Sequence, residues 1–221
     1  MAILDLIFPK TCLGCGKSET YICRNCLKKV QILVSSCPYC ERPSLYGFTH
    51  KGCRRPQGLD GLVSVWKYQG IIKKAVLSLK YKYSTEVGKE LTEIYIEELS
   101  KRPKIIKEET LVPVPIHRHR ENVRGFNQAE LVGKVVAKKM GWNYIPDLLI
   151  KKSPTKSQVE LSIRERRRNL KGVFVFNLKH QVPASIILFD DVFTTGSTLK
   201  ESAKVLKSAG VKKVWGLTLA R

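Results

Sequence analysis

What this chain lacks bounds it first. No cysteine occurs after position 53, although seven stand up to and including it, so the cysteines serve one end of the molecule and the remainder must hold together without them. Acids are scarce: 19 Asp and Glu face 40 Lys and Arg, a formal charge of +21 in 221 residues. So large a surplus favours a polyanionic partner or substrate over an acid-binding or neutral role. Apolar runs are short, and none approaches the roughly 18 residues that cross a bilayer. The opening MAILDLIFP has no basic leader, contains Asp5 and stops at Pro9, which argues against a secretory signal. The expectation is a cytoplasmic protein without a membrane span, in a compartment where paired cysteines hold metal more often than they form disulfides.

The cysteines are spaced for metal. Cys12 and Cys15, Cys23 and Cys26, Cys37 and Cys40, and finally His50 and Cys53 form four pairs, each separated by two residues. That gap turns two side chains of a tight turn toward one ion, and four pairs make two tetrahedral sites suited to structural Zn²⁺. Sequential pairing gives Cys12, Cys15, Cys23, Cys26 and Cys37, Cys40, His50, Cys53; crossed pairing satisfies the same count. A disulfide framework would leave one cysteine over. Since a ribbon this small has no core of its own, metal removal is expected to unfold it while sparing the rest. Arg54, Arg55, Pro56, Gly58 and Gly61 then read as a linker, dividing the chain into a double zinc ribbon over residues 1–56 and a larger domain over 57–221.

In that larger domain, LVSVWKY alternates as a strand and Ile71 to Leu79 has helical spacing. Val87 to Leu99 reads as an amphipathic helix with its acids outward. Lys80 and Tyr81 between those helices fit a solvated loop. Leu111 to Val114 is a short strand followed by the basic loop IHRHREN. A helix then runs from Gln128 to Met140, capped by Asn127 with Glu130 three residues on and closed by Gly141. His117 and His119 fit exposed titrating side chains better than phosphate donors. Val173 to Phe176 is a strand, Leu199 to Ala209 a helix ended by Gly210, and Val211 to Leu219 the returning strand.

The densest stretch is IILFDDVFTTGST, residues 186–198. Ile186 to Phe189 fit a strand covered on both faces, as in a parallel sheet. Asp190 and Asp191 stand at its carboxyl end, where open α/β sheets bind ligands. Adjacent carboxylates repel in a dry environment and need hydroxyl donors, water or a hard cation. Thr194, Thr195, Gly196, Ser197 and Thr198 offer N–H groups and hydroxyls at a helix start, an anion site, and Thr198 with Glu201 has capping-box spacing.

This stretch resembles the phosphoribosyl pyrophosphate (PRPP) motif of type I phosphoribosyltransferases, with Phe193 standing where an aliphatic residue is usual. The resemblance implies an α/β type I phosphoribosyltransferase fold, a parallel sheet flanked by helices, behind the small N-terminal zinc-ribbon domain. It implies Asp190 and Asp191 on the ribose hydroxyls, directly or through Mg²⁺, as the catalytic acids, and Thr194 to Thr198 around the 5′-phosphate. The segment VPVPIHRHRENVRGFNQAELV narrows this further, since it resembles the signature of the ComF-type competence proteins, with Arg120 and Arg124 at matching positions near the pyrophosphate. The resemblance continues through Gln158, Leu161, Arg166 or Arg167, Asn169 and Phe174. The position of this basic segment in the fold is that of a lid over PRPP, whose Arg164, Arg166, Arg167 and Arg168 are candidates for pyrophosphate or DNA; a solvated basic helix face reads equally well for any one of them.

The resemblance also sets functional expectations. An enzyme of this type would displace pyrophosphate from C1 of PRPP with an unidentified nucleophile; the hypoxanthine and guanine class is disfavoured, because those enzymes carry an Asp where Thr194 stands. ComF-type proteins are associated with uptake of single-stranded DNA, so PRPP, single-stranded DNA and other DNA-uptake proteins are the expected partners. Tyr21, Tyr39, Tyr46, Phe48 and Trp66 are possible stacking surfaces, with packing the commoner fate of such rings. The alternative is a non-catalytic PRPP sensor or nucleic-acid-binding adaptor.

Overall fold

The structure, a computed structural model, describes residues 10–79, 85–102, 110–116, 125–152 and 172–221. Among the described residues the ribbon contains one short helix, α1 (Arg24–Leu27), and two 3₁₀ turns at Leu45–Gly47 and Lys51–Cys53. Then come β1 (Gly61–Trp66), α2 (Gly70–Ser78), α3 (Thr85–Ser100), β2 (Thr110–Pro113), α4 (Gln128–Met140), β3 (Asn143–Tyr144), β4 (Leu149–Lys151), β5 (Phe174–Phe176), β6 (Ser185–Val192), α5 (Ser197–Ser208) and β7 (Lys213–Ala220).

Five strands form one sheet in the order β1-β7-β6-β2-β3, and every neighbouring pair is parallel. The expected α/β architecture, a parallel sheet flanked by helices behind a cysteine-rich ribbon, is the observed one. Alternation along β6 distributes the core: Ile187 and Phe189 pack with residues of α2, α3 and α4, while Ile186 and Leu188 pack with those of α5. Both faces are therefore covered, and Ile186 to Phe189 are fully buried as expected. From β6 the chain returns through α5 to β7 on one side, whereas from β2 it passes through α4 to β3 on the other. The gap between the carboxyl ends of β6 and β2 is thus a topological switch point, the place where open parallel sheets bind ligands.

Several expectations change in detail. β1 is buried at all six positions instead of alternating, because both its faces are covered, Leu62 lying in the cluster of α5 and Val63 and Val65 in that of α2. Ribbon residues lie along its outer edge: Leu33 N–H donates to Val65 O at 2.9 Å and Lys67 N–H to Gln31 O at 2.9 Å. Covering that edge removes a template for intermolecular strand pairing. The acids of α3 do not all face outward, since Glu90 binds the ribbon. β5 pairs antiparallel with β4 in a separate two-stranded sheet and does not join the central one. Gly61 lies in β1, and Leu59 is buried with Val112, Leu188 and Leu199, so the end of the suggested linker belongs to the core. The ribbon is not free-standing either: Cys12, Ile22 and Cys23 share one buried cluster with Val63, Val65 and Trp66 of β1.

Candidate functional site

β6 continues past its acids to Val192. Asp190 pairs in register with Thr218 and Val192 with Ala220, so both carboxylates belong to the strand's last residues, and alternation sends them to opposite faces. Asp190 accepts the N–H of Asp191 at 2.9 Å, and Asp191 that of Val192 at 2.7 Å. Desolvation, and then the charge of Asp191, push the Asp190 carboxyl well above the usual aspartate range, with Lys151 of β4 acting in the opposite sense. On the other face the charge of Asp191 reinforces burial in raising the Tyr68 hydroxyl. Asp190, whose surroundings resist its ionising, is matched with its neighbouring carboxylate to a ligand that supplies hydroxyl donors or a cation.

The loop after β6 turns sharply. Gly196 has φ of +67°, and a Cβ there would lie 2.2 Å from the Phe193 ring, so only glycine fits. It is also the N-cap of α5, which leaves no cap side chain to close the helix end. The expected capping box from Thr198 to Glu201 does not form. The helix begins two residues before Leu199, at Ser197, and Glu201 instead accepts the Gly172 N–H at 3.3 Å. Thr195 shapes the turn: its Oγ1 lies 2.8 Å from Ser197 Oγ and accepts the Ser197 N–H at 3.3 Å. Thr194 is exposed, with Thr195, Ser197 and Thr198 less so around it. Lys200, one turn into α5, reaches back to donate to Thr195 O at 3.1 Å.

Across the switch point, Val114 N–H donates to Phe189 O at 2.8 Å, which fixes the start of the loop after β2. Its far end is fixed by Asn127, which caps α4 by accepting the Ala129 N–H at 3.1 Å and donates to Val114 O at 3.1 Å. Gly141 closes α4 in the left-handed conformation, as expected. His117, His119, Arg120 and Arg124 lie outside the described residues, as do Lys80, Tyr81, Gln158, Leu161, Arg164, Arg166, Arg167, Arg168 and Asn169.

The paired cysteines converge on two sites, and the geometry selects sequential pairing. The ligand atoms of Cys12, Cys15, Cys23 and Cys26 all lie within 4.8 Å of one another, and so do those of Cys37, Cys40, His50 and Cys53. In the second site, His50 Nδ1 is 3.2 Å from Cys40 Sγ while Nε2 is 3.2 Å from Pro43 O. A proton on Nε2 toward that carbonyl leaves the Nδ1 lone pair for the ion, the usual support of a metal-binding histidine. Burial opposes the Cys12 thiolate, yet N–H groups of Cys23, Cys15 and Gly14 prevail and lower its thiol to about 6. At Cys40 the Arg42 N–H leads in lowering it to about 6. Their neighbours go the other way: Cys26 rises to about 12, chiefly through Cys15, and Cys53 to about 11, chiefly through Cys40. Each cluster thus mixes ready thiolates with thiols that must lose a proton, as a Zn²⁺ site does on filling.

Sequence reasoning passed over Lys151, Tyr68 and Lys200. Tyr68 follows closely on β1 and Lys151 ends β4, so a search of strand ends would have found both. Of the suggested stacking rings, Trp66 is fully buried and Phe48 meets Trp215 edge-on at 4.8 Å. Tyr39 carries Arg55 at 4.8 Å and Lys200 at 5.2 Å over its ring, and Tyr21 packs on the core. Tyr46 is exposed.

The double zinc ribbon domain family matches residues 3–55. The DNA utilization protein YhgH of Salmonella typhimurium is 32% identical over 96% of this chain and 98% of its own length. Competence protein F of Haemophilus influenzae is 29% identical over 90% of each chain, and competence protein ComFC of Bacillus subtilis is 30% identical over 91% of this chain and 83% of its own. The chain belongs to the ComF family of competence proteins. A solved adenine phosphoribosyltransferase from Trypanosoma brucei is similar over 60% of this chain and 52% of its own, at 15% identity and a TM-score of 0.33. Among the described residues no helix is long and apolar enough to cross a membrane.

Proposed function

We propose that this ComF-family chain binds PRPP with Mg²⁺ at the carboxyl end of β6, holds single-stranded DNA, and acts in DNA uptake. The observation that carries the reading is the juxtaposition of Asp190 and Asp191 with the Thr195–Gly196–Ser197 turn at the switch point of a parallel sheet. The turn and the open end of α5 suit a terminal phosphate. Asp190 and Asp191 suit the ribose hydroxyls, with Mg²⁺ serving to neutralise the pyrophosphate. Arg120 and Arg124 are assigned to the pyrophosphate as well. The names of the relatives and the charge of +21 support the DNA partner.

If the site turns over, a nucleophile forms a bond to C1 of the ribose as the bond to pyrophosphate breaks, and the leaving pyrophosphate takes the electron pair. Positioning and charge stabilisation are then the chain's main contributions. The second reading, a PRPP sensor or nucleic-acid-binding adaptor, uses the same residues and requires binding alone. Calorimetric titration of PRPP with and without Mg²⁺ tests the shared claim: saturable, Mg²⁺-dependent binding is expected, and its loss in Asp190→Asn/Asp191→Asn locates it. Release of pyrophosphate with and without single-stranded DNA separates catalysis from sensing.

A further inference from the structure

Residues 36–41, the turn that carries Cys37 and Cys40, touch the phosphate loop by two routes. Along the first, the Tyr39 hydroxyl accepts the Leu59 N–H at 2.9 Å, in a socket so tight that a Cβ on Gly58 would lie 2.3 Å from that oxygen. The ring so fixed lies 5.2 Å from Lys200 Nζ, which also stands 5.4 Å from the Phe193 ring and donates to Thr195 O at 3.1 Å. Along the second, the Arg221 guanidinium donates to Ser36 Oγ, pairs with Glu41 at 2.9 Å and lies 5.4 Å from the Phe193 ring. Ser36 and Glu41 flank the two cysteines directly. Cations held over ring faces in part-desolvated places are attracted by amounts that matter for a flexible lysine.

We propose that the second metal site is a support of the phosphate loop: Tyr39, clamped between Cys37 and Cys40, holds Lys200 over Thr195, so that metal at Cys37, Cys40, His50 and Cys53 and phosphate at the loop reinforce each other. Lys200 is then a positioning residue, reaching the ligand only through the Thr195 carbonyl. The physical reason is that a turn of this size keeps its shape through its metal bonds. With the ion gone, Tyr39 and the Ser36 to Glu41 span lose their fixed places, and Lys200 and Arg221 lose what aims them. Coupling of two binding events is reciprocal, so PRPP must also retain the ion. The ligand half of this inference rests on the proposed PRPP site, whereas the loop half does not.

The test uses the full chain and two readouts. Amide hydrogen exchange at residues 193–197 is followed in the parent, in His50→Ala, in Cys15→Ala and in Lys200→Met and Lys200→Arg, and PRPP with Mg²⁺ is titrated into each. Expected are an exchange rate about 10-fold higher in His50→Ala and in Lys200→Met, the latter with full zinc content, and substantial restoration in Lys200→Arg. PRPP affinity should fall about 10-fold in the same two variants, within the usual range of such couplings. Unchanged loop exchange in His50→Ala overturns the proposal, as does an equal acceleration in Cys15→Ala, which would mark a global effect. If His50→Ala does not fold, Lys200→Met, which keeps all the metal ligands, decides alone. A parent that fails to bind PRPP while its loop still responds to His50 overturns the PRPP reading and leaves the support in place.

Discussion

The carboxylate of Glu90 accepts the backbone N–H of Ile22 at 2.7 Å, tying the middle of α3 to the loop between the two knuckles of the first metal site. It also accepts the N–H of Tyr21 at 3.0 Å and the hydroxyl of Thr20. Burial opposes that charge, but the three donors outweigh it and hold the Glu90 carboxyl below the usual range. A depressed acid stabilises the fold above its unfolded pKa and ceases to do so as pH falls through its folded value. Glu90→Gln should therefore lower Tm at neutral pH and lose less stability than the parent on acidification below about 4.3, the ordinary glutamate value. Glu90→Ala should cost about 1–3 kcal/mol, by denaturant titration at neutral pH.

Asp190 predicts the opposite sign. Its folded pKa is raised, so the unliganded fold loses stability as pH climbs from the ordinary aspartate value of about 3.9 toward the raised one. Asp190→Asn should raise Tm at neutral pH, by about 2–4 °C for each kcal/mol recovered, while abolishing Mg²⁺-dependent PRPP binding. Thermal melts from about pH 4 to about pH 8, a range that starts at the ordinary aspartate value, check the first half and calorimetry the second. A variant that melts lower and binds PRPP normally would remove Asp190 from the site.

Gly196→Ala should weaken PRPP binding, because the new methyl meets the Phe193 ring and the left-handed backbone disfavours any L side chain. The expected loss of stability is about 1–2 kcal/mol. Titration of the variant, with near-ultraviolet circular dichroism as a check on folding, measures it.

Zinc removal should destabilise the sheet as well as the ribbon. Cys12 and Cys23 belong to the same buried cluster as Val63, Val65 and Trp66, and ribbon backbone covers the edge of β1. A hydrogen-exchange scan of the chelated protein is expected to show β1 losing protection together with residues 10–53. Two zinc ions per chain are expected by metal analysis, one for each ligand cluster, and one in His50→Ala.

Single-stranded DNA should bind with steep salt dependence, log K falling by about 0.7 per phosphate neutralised for each decade of salt. Replacing Arg166, Arg167 and Arg168 by Ala should flatten that slope by about one to two units if two or three contacts are lost. An unchanged slope in a fluorescence-anisotropy series would assign those arginines to PRPP alone.

Local chemistry was legible because it is written in adjacent residues. The knuckle spacings announced the metal ligands, the buried run of Ile186 to Phe189 announced a two-faced strand, and Asn127 with Gly141 marked both ends of α4. The acids at 190 and 191 could be placed at the carboxyl end of a strand from the strand rule alone. Pairing of the knuckles could not, since two residues of spacing fix which side chains face one ion but not which turns meet; that depended on how the ribbon folds onto β1. Lys151, Tyr68, Glu90 and Lys200 were silent for the same reason. Their partners are Asp190, Asp191, Ile22 and Tyr39 respectively, each far away along the chain, and only packing brings such partners into range. The sequence by itself determined the ligand types, the strand-end acids and the glycine turn, because these depend on covalent neighbours. That the ribbon shares the core of the sheet, and that Tyr39 of the Cys37–Cys40 turn lies against Lys200 of α5, came only with packing, because contacts between distant segments are set by the burial of both faces of the sheet and have no local signature.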